Sequence, residues 1–163
     1  MHVVTVFGLV FAAWKWGDWK NIRNMLPTIW YVVSMNLLYH LIIGDYWLWK
    51  YNSSWLSLKT INLIQTFIVL PSVTFLFISH FPHKLKSRLF YIAVWIVGSC
   101  LWSVLFWKTG RLSFHNGYEC WMDFPFYVLM YGFIALHERH PLLVYLASII
   151  VVTCYILIFG VPW

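Results

Sequence analysis

The chain alternates long apolar runs with short loops that hold most of its charged residues. Hydrophobic residues make up 62% of it and charged residues only 10%, whereas about a quarter of a soluble domain is charged. The mean hydropathy is +0.74. The sequence therefore predicts one integral membrane domain, residues 1–163, built as an all-α polytopic transmembrane helical bundle.

Six short membrane spans are predicted from the apolar runs. Their approximate bounds are 2–16, 27–43, 58–79, 89–107, 123–137 and 141–160. The first apolar run, with its flanking tryptophans, would rise only about 20–24 Å as a helix, against a hydrocarbon core of about 30 Å. Five spans are therefore the alternative, with the first run lying in the interface.

Prolines mark expected helix boundaries and irregularities. Pro27 is expected in the first turn of the second span, where its missing N–H costs nothing. Asp123 and Pro125 are expected to begin the fifth span as a cap and an early-turn residue. Pro71 lies inside the third span, so a kink is predicted there.

The distribution of cations predicts an orientation. Seven lie on the side of the tryptophan-rich loop after the first span and four on the other side, namely Lys15, Lys20, Arg23, Lys84, Lys86, Arg88 and Arg139 against Lys50, Lys59, Lys108 and Arg111. Cytoplasmic loops are enriched in Lys and Arg, so loops 15–23, 84–88 and 139 are predicted to be cytoplasmic. The net charge of +6 then requires no nucleic-acid partner, since a lipid bilayer explains it.

Polar residues collect at the opposite, outer end of the predicted spans. We call this set the outer polar cup, and it consists of Asn36, His40, Asp45, Asn62, Gln65, His115, Glu119 and Asp123. Because ionisable groups in membrane bundles often serve function, the cup is a candidate site for an ion, a proton or a small polar solute. The alternative is that the amides only hold helices together, at roughly 0.6 kcal/mol for each hydrogen bond.

A second candidate site lies on the inner side and would hold a metal ion. Its residues are His80, His83, His137 and His140. Neutral imidazole is a common ligand of zinc and copper. However, Pro82 interrupts the first pair and Pro141 follows the second, so interfacial histidines that reach toward water are the alternative.

Catalytic motifs are absent from the sequence. Ser99 follows Gly98 but is not part of a Gly-x-Ser-x-Gly motif, and the segment 137–140 is one residue shorter than His-Glu-x-x-His. The three cysteines are widely spaced and predict neither a disulfide framework nor a zinc site. No cofactor is predicted, and a non-enzyme explains the chain more simply than an enzyme.

Six motifs carry a resemblance to a known family. They are Trp14-Lys15-Trp16-Gly17-Asp18-Trp19-Lys20-Asn21, Pro27-Thr28-Ile29, Leu37-Leu38-Tyr39, His80-Phe81-Pro82, His115-Asn116-Gly117 and Pro141-Leu142-Leu143. Over nearly its whole length the chain resembles an uncharacterised family of small integral membrane proteins of endospore-forming Firmicutes such as bacilli and clostridia. The resemblance implies a multi-helix protein of the bacterial cytoplasmic membrane, with no activity or site residues to carry over.

The function expected from these observations is that of an oligomerising or partner-binding component of the bacterial cytoplasmic or spore membrane. Its expected partners are the lipid bilayer and either a second copy of the chain or another membrane protein. One alternative is a carrier, channel or sensor for a small polar solute or ion that uses the outer polar cup. The other is a metal-dependent membrane enzyme built on the inner histidines.

Overall fold

The computed structural model describes residues 2–53 and 56–162, and within them the chain forms six helices. These are α1 His2–Trp16, α2 Ile22–Ile43, α3 Leu58–Ser79, α4 Leu85–Lys108, α5 Asp123–His137 and α6 Pro141–Phe159. Two short strands, β1 Trp49–Tyr51 and β2 Leu112–Phe114, pair antiparallel, and a 3₁₀ turn, Cys120–Met122, precedes α5.

Four helices are long and apolar enough to cross a membrane, namely α2, α3, α4 and α6. At about 1.5 Å per residue they match a hydrocarbon core of about 30 Å. Helices α1 and α5 have 15 residues each and reach only about 22 Å. The predicted helical class and the presence of apolar, membrane-length helices are therefore confirmed, whereas two of the six predicted spans are short.

Two helices begin earlier than the sequence predicts. Helix α2 starts at Ile22, so the expected place of Pro27 in the first turn is wrong, and this proline lies inside the helix. Helix α4 starts at Leu85 rather than at residue 89, which brings Lys86 and Arg88 into its first turn. Lys and Arg are good helix formers, so a helix continues beyond the segment that apolar residues mark.

Helix α3 contains a π-helical turn immediately before Pro71. The turn, Gln65–Val69, joins the α-helical parts Leu58–Ile64 and Leu70–Ser79. The N–H of Leu70 donates to the carbonyl of Gln65, five residues earlier. Pro71 has no N–H and its ring would clash with the carbonyl of Phe67 in a regular helix, which a widened turn relieves. The irregularity predicted at Pro71 thus takes the form of a π turn.

The β1–β2 ribbon is a small addition to the predicted all-α architecture. Trp49 lies opposite Phe114. The ribbon connects the loop after α2 to the loop after α4, so both loops lie at one end of the bundle, here called the ribbon end. Helix α6 also ends there, because the Tyr46 hydroxyl donates to the Phe159 carbonyl at 2.9 Å.

The opposite end, here called the basic end, contains the tryptophan-rich loop after α1. The backbone N–H of Asp18 donates to Ser79 Oγ at 3.0 Å, and the Trp19 ring meets Phe75 edge-on, with ring centroids 5.0 Å apart. Gly17 lies where α1 meets α3, and a Cβ at this position would be 2.0 Å from Phe75 Cε1. The loop is therefore a tightly packed joint between α1 and α3 as well as an aromatic surface.

The core between α3, α4 and α5 is an aromatic cluster. Phe77 is completely buried, and its ring centroid lies 5.4 Å from those of Phe81 and Tyr91, 5.7 Å from that of Trp95 and 5.0 Å from that of Tyr131. Tilted and edge-on ring pairs stabilise a core beyond the effect of buried area. This cluster holds α3 against the antiparallel pair α4 and α5.

Candidate functional site

A cavity of about 740 Å³ extends into the bundle and opens to its surface at exposed wall residues such as Val4 and Val94, and all six helices and both strands contribute to its wall. The wall is mostly apolar and aromatic. Its polar side chains include Asn36, His40, Asn62, Gln65, Ser103 and Asp123. Small-molecule sites in proteins are typically cavities of about 300–1,000 Å³ with apolar walls and a few convergent polar groups. The cavity therefore has the size and chemistry of a ligand site.

The outer polar cup predicted from the sequence is divided between this cavity and the loops. Five of its eight residues line the cavity, namely Asn36, His40, Asn62, Gln65 and Asp123. Asp45, His115 and Glu119 do not line it and are exposed. His115 Nε2 is 3.0 Å from Ser113 Oγ, and Glu119 accepts a hydrogen bond from Trp121 Nε1 at 2.8 Å. The structure thus assembles part of the cup and leaves these three residues on the surface.

One polar part of the wall joins α2 to α3. Asn36 Nδ2 donates to Thr66 Oγ1 at 2.6 Å, and Thr66 Oγ1 donates to the Asn62 carbonyl at 2.7 Å. Thr66 belongs to the π turn and is buried. Asn36 therefore holds α2 and α3 together by a hydrogen bond, which is the structural alternative to a ligand site. The same residue also lines the cavity.

His40 contributes a second polar part of the wall. Its Nδ1 is buried and makes no hydrogen bond to any of residues 2–53 and 56–162. The ring lies between those of Tyr39 and Trp47, at centroid distances of 5.3 and 6.0 Å. An unsatisfied buried polar atom costs roughly 1–3 kcal/mol. The described residues leave this cost at Nδ1 uncompensated.

Asp123 is the one buried carboxyl group among the described residues of the wall, with 7% of its surface exposed. Its Oδ1 accepts a hydrogen bond from the Tyr118 hydroxyl at 2.9 Å, and its Oδ2 accepts one from Ser103 Oγ. Within the described part of the chain no Lys, Arg or His is paired with it. The carboxyl group thus has neutral hydroxyl donors but no counter-charge from the protein.

Several tyrosines lie near Asp123. Four of them line the cavity close enough to interact electrostatically with the carboxyl group, namely Tyr51, Tyr118, Tyr127 and Tyr155. Burial, together with the nearby carboxyl group, raises the pKa of Tyr118 well above its usual range and the pKa of Tyr51 to about 12. Both hydroxyls therefore stay neutral across the physiological range.

The Asp123 site continues into a row of hydrogen bonds between α4 and α5, here called the polar seam. Ser103 bonds to Asp123, and one helical turn away Ser99 Oγ lies 2.7 Å from the Tyr131 hydroxyl. Ser99 and Ser103 are four residues apart and so share one face of α4. The seam fixes the rotation of the two helices and with it the position of the carboxyl group.

The four inner histidines do not come together as a metal centre. His137 is buried, its ring stacks on Tyr31 with centroids 4.5 Å apart, and its Nδ1 is 3.0 Å from Thr28 Oγ1. The others, His80, His83 and His140, are exposed. In residues 2–53 and 56–162 no three His, Cys, Asp or Glu side chains are placed to hold a metal ion. The prediction fails because His137 packs inside the bundle while the other three lie on its surface.

Comparisons of the chain with protein-family models, with curated proteins and with solved structures find no match. The chemistry of the cavity is therefore inferred from its own residues. Three properties define it: a volume suited to a small molecule, a wall rich in aromatic rings, and one buried carboxyl group.

Proposed function

We propose that the protein is a multi-pass membrane protein that binds a small amphipathic molecule inside its helical bundle, as a carrier or sensor. The observation that carries this proposal is the cavity of about 740 Å³, in which apolar and aromatic walls meet a polar centre at Asp123. Such a combination is typical of ligand sites between the helices of a bundle. It favours the solute-binding alternative over a purely structural role.

In this proposal all six helices enter the bacterial cytoplasmic membrane. The short helices α1 and α5 would be accommodated by local thinning of the bilayer or by contact with longer neighbours. The basic end faces the cytoplasm, since it holds seven of the eleven cations. The resemblance of the segment 14–21 to small membrane proteins of endospore-forming bacteria supports the bacterial membrane.

A pair of glycines provides a matched test of the cavity. Gly98 lines it and Gly132 does not, and a Cβ at either position meets no atom within 4 Å. We expect Gly98→Leu to weaken binding of an uncharged probe, neopentylbenzene, about tenfold, because the new side chain occupies volume that the probe needs. Gly132→Leu should bind it like the wild-type protein. Binding is measured by equilibrium dialysis of protein-containing nanodiscs against empty discs of the same lipid.

Two results would contradict this proposal. The first is that protein-containing discs hold no more probe than empty ones, and the second is that the two leucine variants bind the probe equally well. In the first case the cavity takes up no small molecule. In the second case the probe binds elsewhere, because of the two substituted glycines only Gly98 lies on the cavity wall.

A second candidate function is the oligomerising or partner-binding component expected from the sequence. Helices α4 and α6 expose large apolar side chains, among them Val94, Val97, Leu101, Leu146, Ile149, Ile150, Leu157 and Ile158. Such surfaces contact lipid tails or another membrane protein. This candidate predicts a homo-oligomer or a co-purifying protein in mild detergent, which native mass spectrometry detects. A monomer without any bound protein, in detergent and in nanodiscs alike, would rule it out.

A further inference from the structure

The charge of the cavity wall restricts the ligands that it can bind. Among the described residues of the wall Asp123 is the only Asp or Glu, and the wall contains no Lys or Arg. An anionic ligand such as a carboxylate, a phosphate or an acidic lipid headgroup would therefore meet a buried carboxyl group and no Lys or Arg, with the His40 imidazole as the only basic side chain of the described wall. The wall instead favours a neutral or a positively charged molecule.

Aromatic rings line the cavity together with this carboxyl group, and Tyr118 links them to it. The Trp49 ring lies 5.2 Å from that of Tyr118 and 5.5 Å from that of Phe126, measured between centroids, and it stacks on Tyr39 at 4.2 Å. All four residues line the cavity. Tyr118 connects the carboxyl group to the aromatic rings, because its hydroxyl donates to Asp123 while its ring packs at a tilt of 56° against that of Trp49. Faces of Trp, Tyr and Phe rings attract cations, with Trp the strongest.

We propose that the ligand of the cavity is a small organic cation, an amine or quaternary ammonium compound with an apolar part. Asp123 is its counter-ion, and Trp49, Tyr118 and Phe126 form the aromatic surface for its charged group. The apolar part occupies the rest of the cavity. This inference rests on the proposed small-molecule function and specifies the class of molecule.

A metal ion does not fit the same wall. No group of three metal-ligating His, Cys, Asp or Glu side chains exists in the described chain, and a cavity of about 740 Å³ far exceeds the space of a single ion. Asp123 is also the first residue of α5, where a carboxylate stabilises the N-terminus of a helix. That structural role alone does not require a cavity wall rich in aromatic rings.

The test compares two probes of the same shape that differ in charge. Benzyltrimethylammonium carries the positive charge, and neopentylbenzene is its uncharged counterpart. In nanodiscs of phosphatidylcholine the wild-type protein should bind the cation at least about tenfold more tightly than the neutral probe. Binding is again measured by dialysis against empty discs, which corrects for uptake by the lipid. Equal affinity for the two probes would overturn the inference.

Variants locate the counter-ion. Asp123→Asn should weaken binding of the cation about tenfold or more and leave the neutral probe unaffected, whereas Glu119→Gln, which removes an exposed acid outside the cavity, should change neither. Phe126→Leu keeps an apolar side chain, leaves the polar seam untouched and should weaken binding of the cation several-fold. It serves as the second variant if Asp123→Asn does not fold. Unchanged binding of the cation to a folded Asp123→Asn protein, or to Phe126→Leu, would contradict the proposal.

The outcomes separate this inference from the function on which it rests. If the neutral probe binds and Gly98→Leu weakens that binding about tenfold while Gly132→Leu does not, the cavity is a ligand site whatever its preference for charge. Failure of the cation to bind more tightly would then overturn the ligand class alone. If neither probe exceeds the level of empty discs, both the ligand class and the proposed function are wrong.

Discussion

Alanine in place of Gly17 is expected to destabilise the protein by about 3 kcal/mol, at the upper end of the usual cost of overpacking. Its Cβ would lie 2.0 Å from Phe75 Cε1 and 2.4 Å from the Ala13 carbonyl oxygen. Phe75 is buried, and the second atom belongs to the backbone, so neither can move away without disturbing the contact between α1 and α3. Thermal unfolding followed by far-UV circular dichroism in mild detergent measures the effect.

Gly132→Ala is the matched control for this variant. Gly132 lies inside α5, and a Cβ there meets no atom within 4 Å. Alanine is favoured over glycine in a helix by about 1 kcal/mol, so this variant should unfold at the same temperature as the wild-type protein or at a higher one. If Gly17→Ala behaved in the same way, the close contact at the basic end would not exist.

The Phe77→Ala variant should lose about 3–5 kcal/mol of stability, since it leaves a cavity where four aromatic rings converge. Phe77 is completely buried. The near-UV circular dichroism of the aromatic cluster should also decrease, because its rings lose their fixed surroundings. Both the spectrum and the unfolding temperature are measured on the same sample.

Phe90→Ala tests whether burial is the cause of this loss. Phe90 belongs to α4, and 74% of its surface is exposed. The same change of side chain should therefore have only a small effect on unfolding. A similar loss of stability in both variants would show that the aromatic cluster is not the core of the bundle.

Helix boundaries were predictable where an apolar run begins or ends at a residue with its own conformational preference. Helix α5 has the predicted bounds, and Pro125 lies in its first turn as expected, but Asp123 is its first residue rather than its cap, since Met122 occupies the N-cap position. Helices α2 and α4 extend past their apolar runs into the segments 22–26 and 85–88. The length of an apolar run reflects the thickness of the hydrocarbon core. A helix, in contrast, ends only where its backbone hydrogen bonds end.

The β1–β2 ribbon was not predictable from local sequence. Each strand has three residues, and a whole helical hairpin separates them in the chain. No two-residue turn connects them, so the usual signal of a hairpin is absent. Their pairing depends on the packing of α2, α3 and α4, which brings the two loops to the same end of the bundle.

The candidate site was partly predictable. Charged and amide residues such as Asp123 and Asn36 stand out in apolar sequence, and both line the cavity. The tyrosines did not stand out, because tyrosine is equally common in interfacial aromatic belts and in buried sites. One sequence signal did indicate a tyrosine near the carboxyl group. Tyr127 follows Asp123 by four residues, so both lie on the same face of α5. Helices that are apolar on all sides do not mark which face is turned inward.

The polar contacts of α5 also bear on the order in which the chain is built into a membrane. This short helix carries an acid at one end and a histidine at the other, and each is hydrogen-bonded to an earlier helix, Asp123 to Ser103 of α4 and His137 to Thr28 of α2. During synthesis from the N-terminus these partners emerge first. In the six-helix membrane arrangement proposed above, helix α5 would therefore meet hydrogen-bond partners for both polar groups as it enters the bilayer.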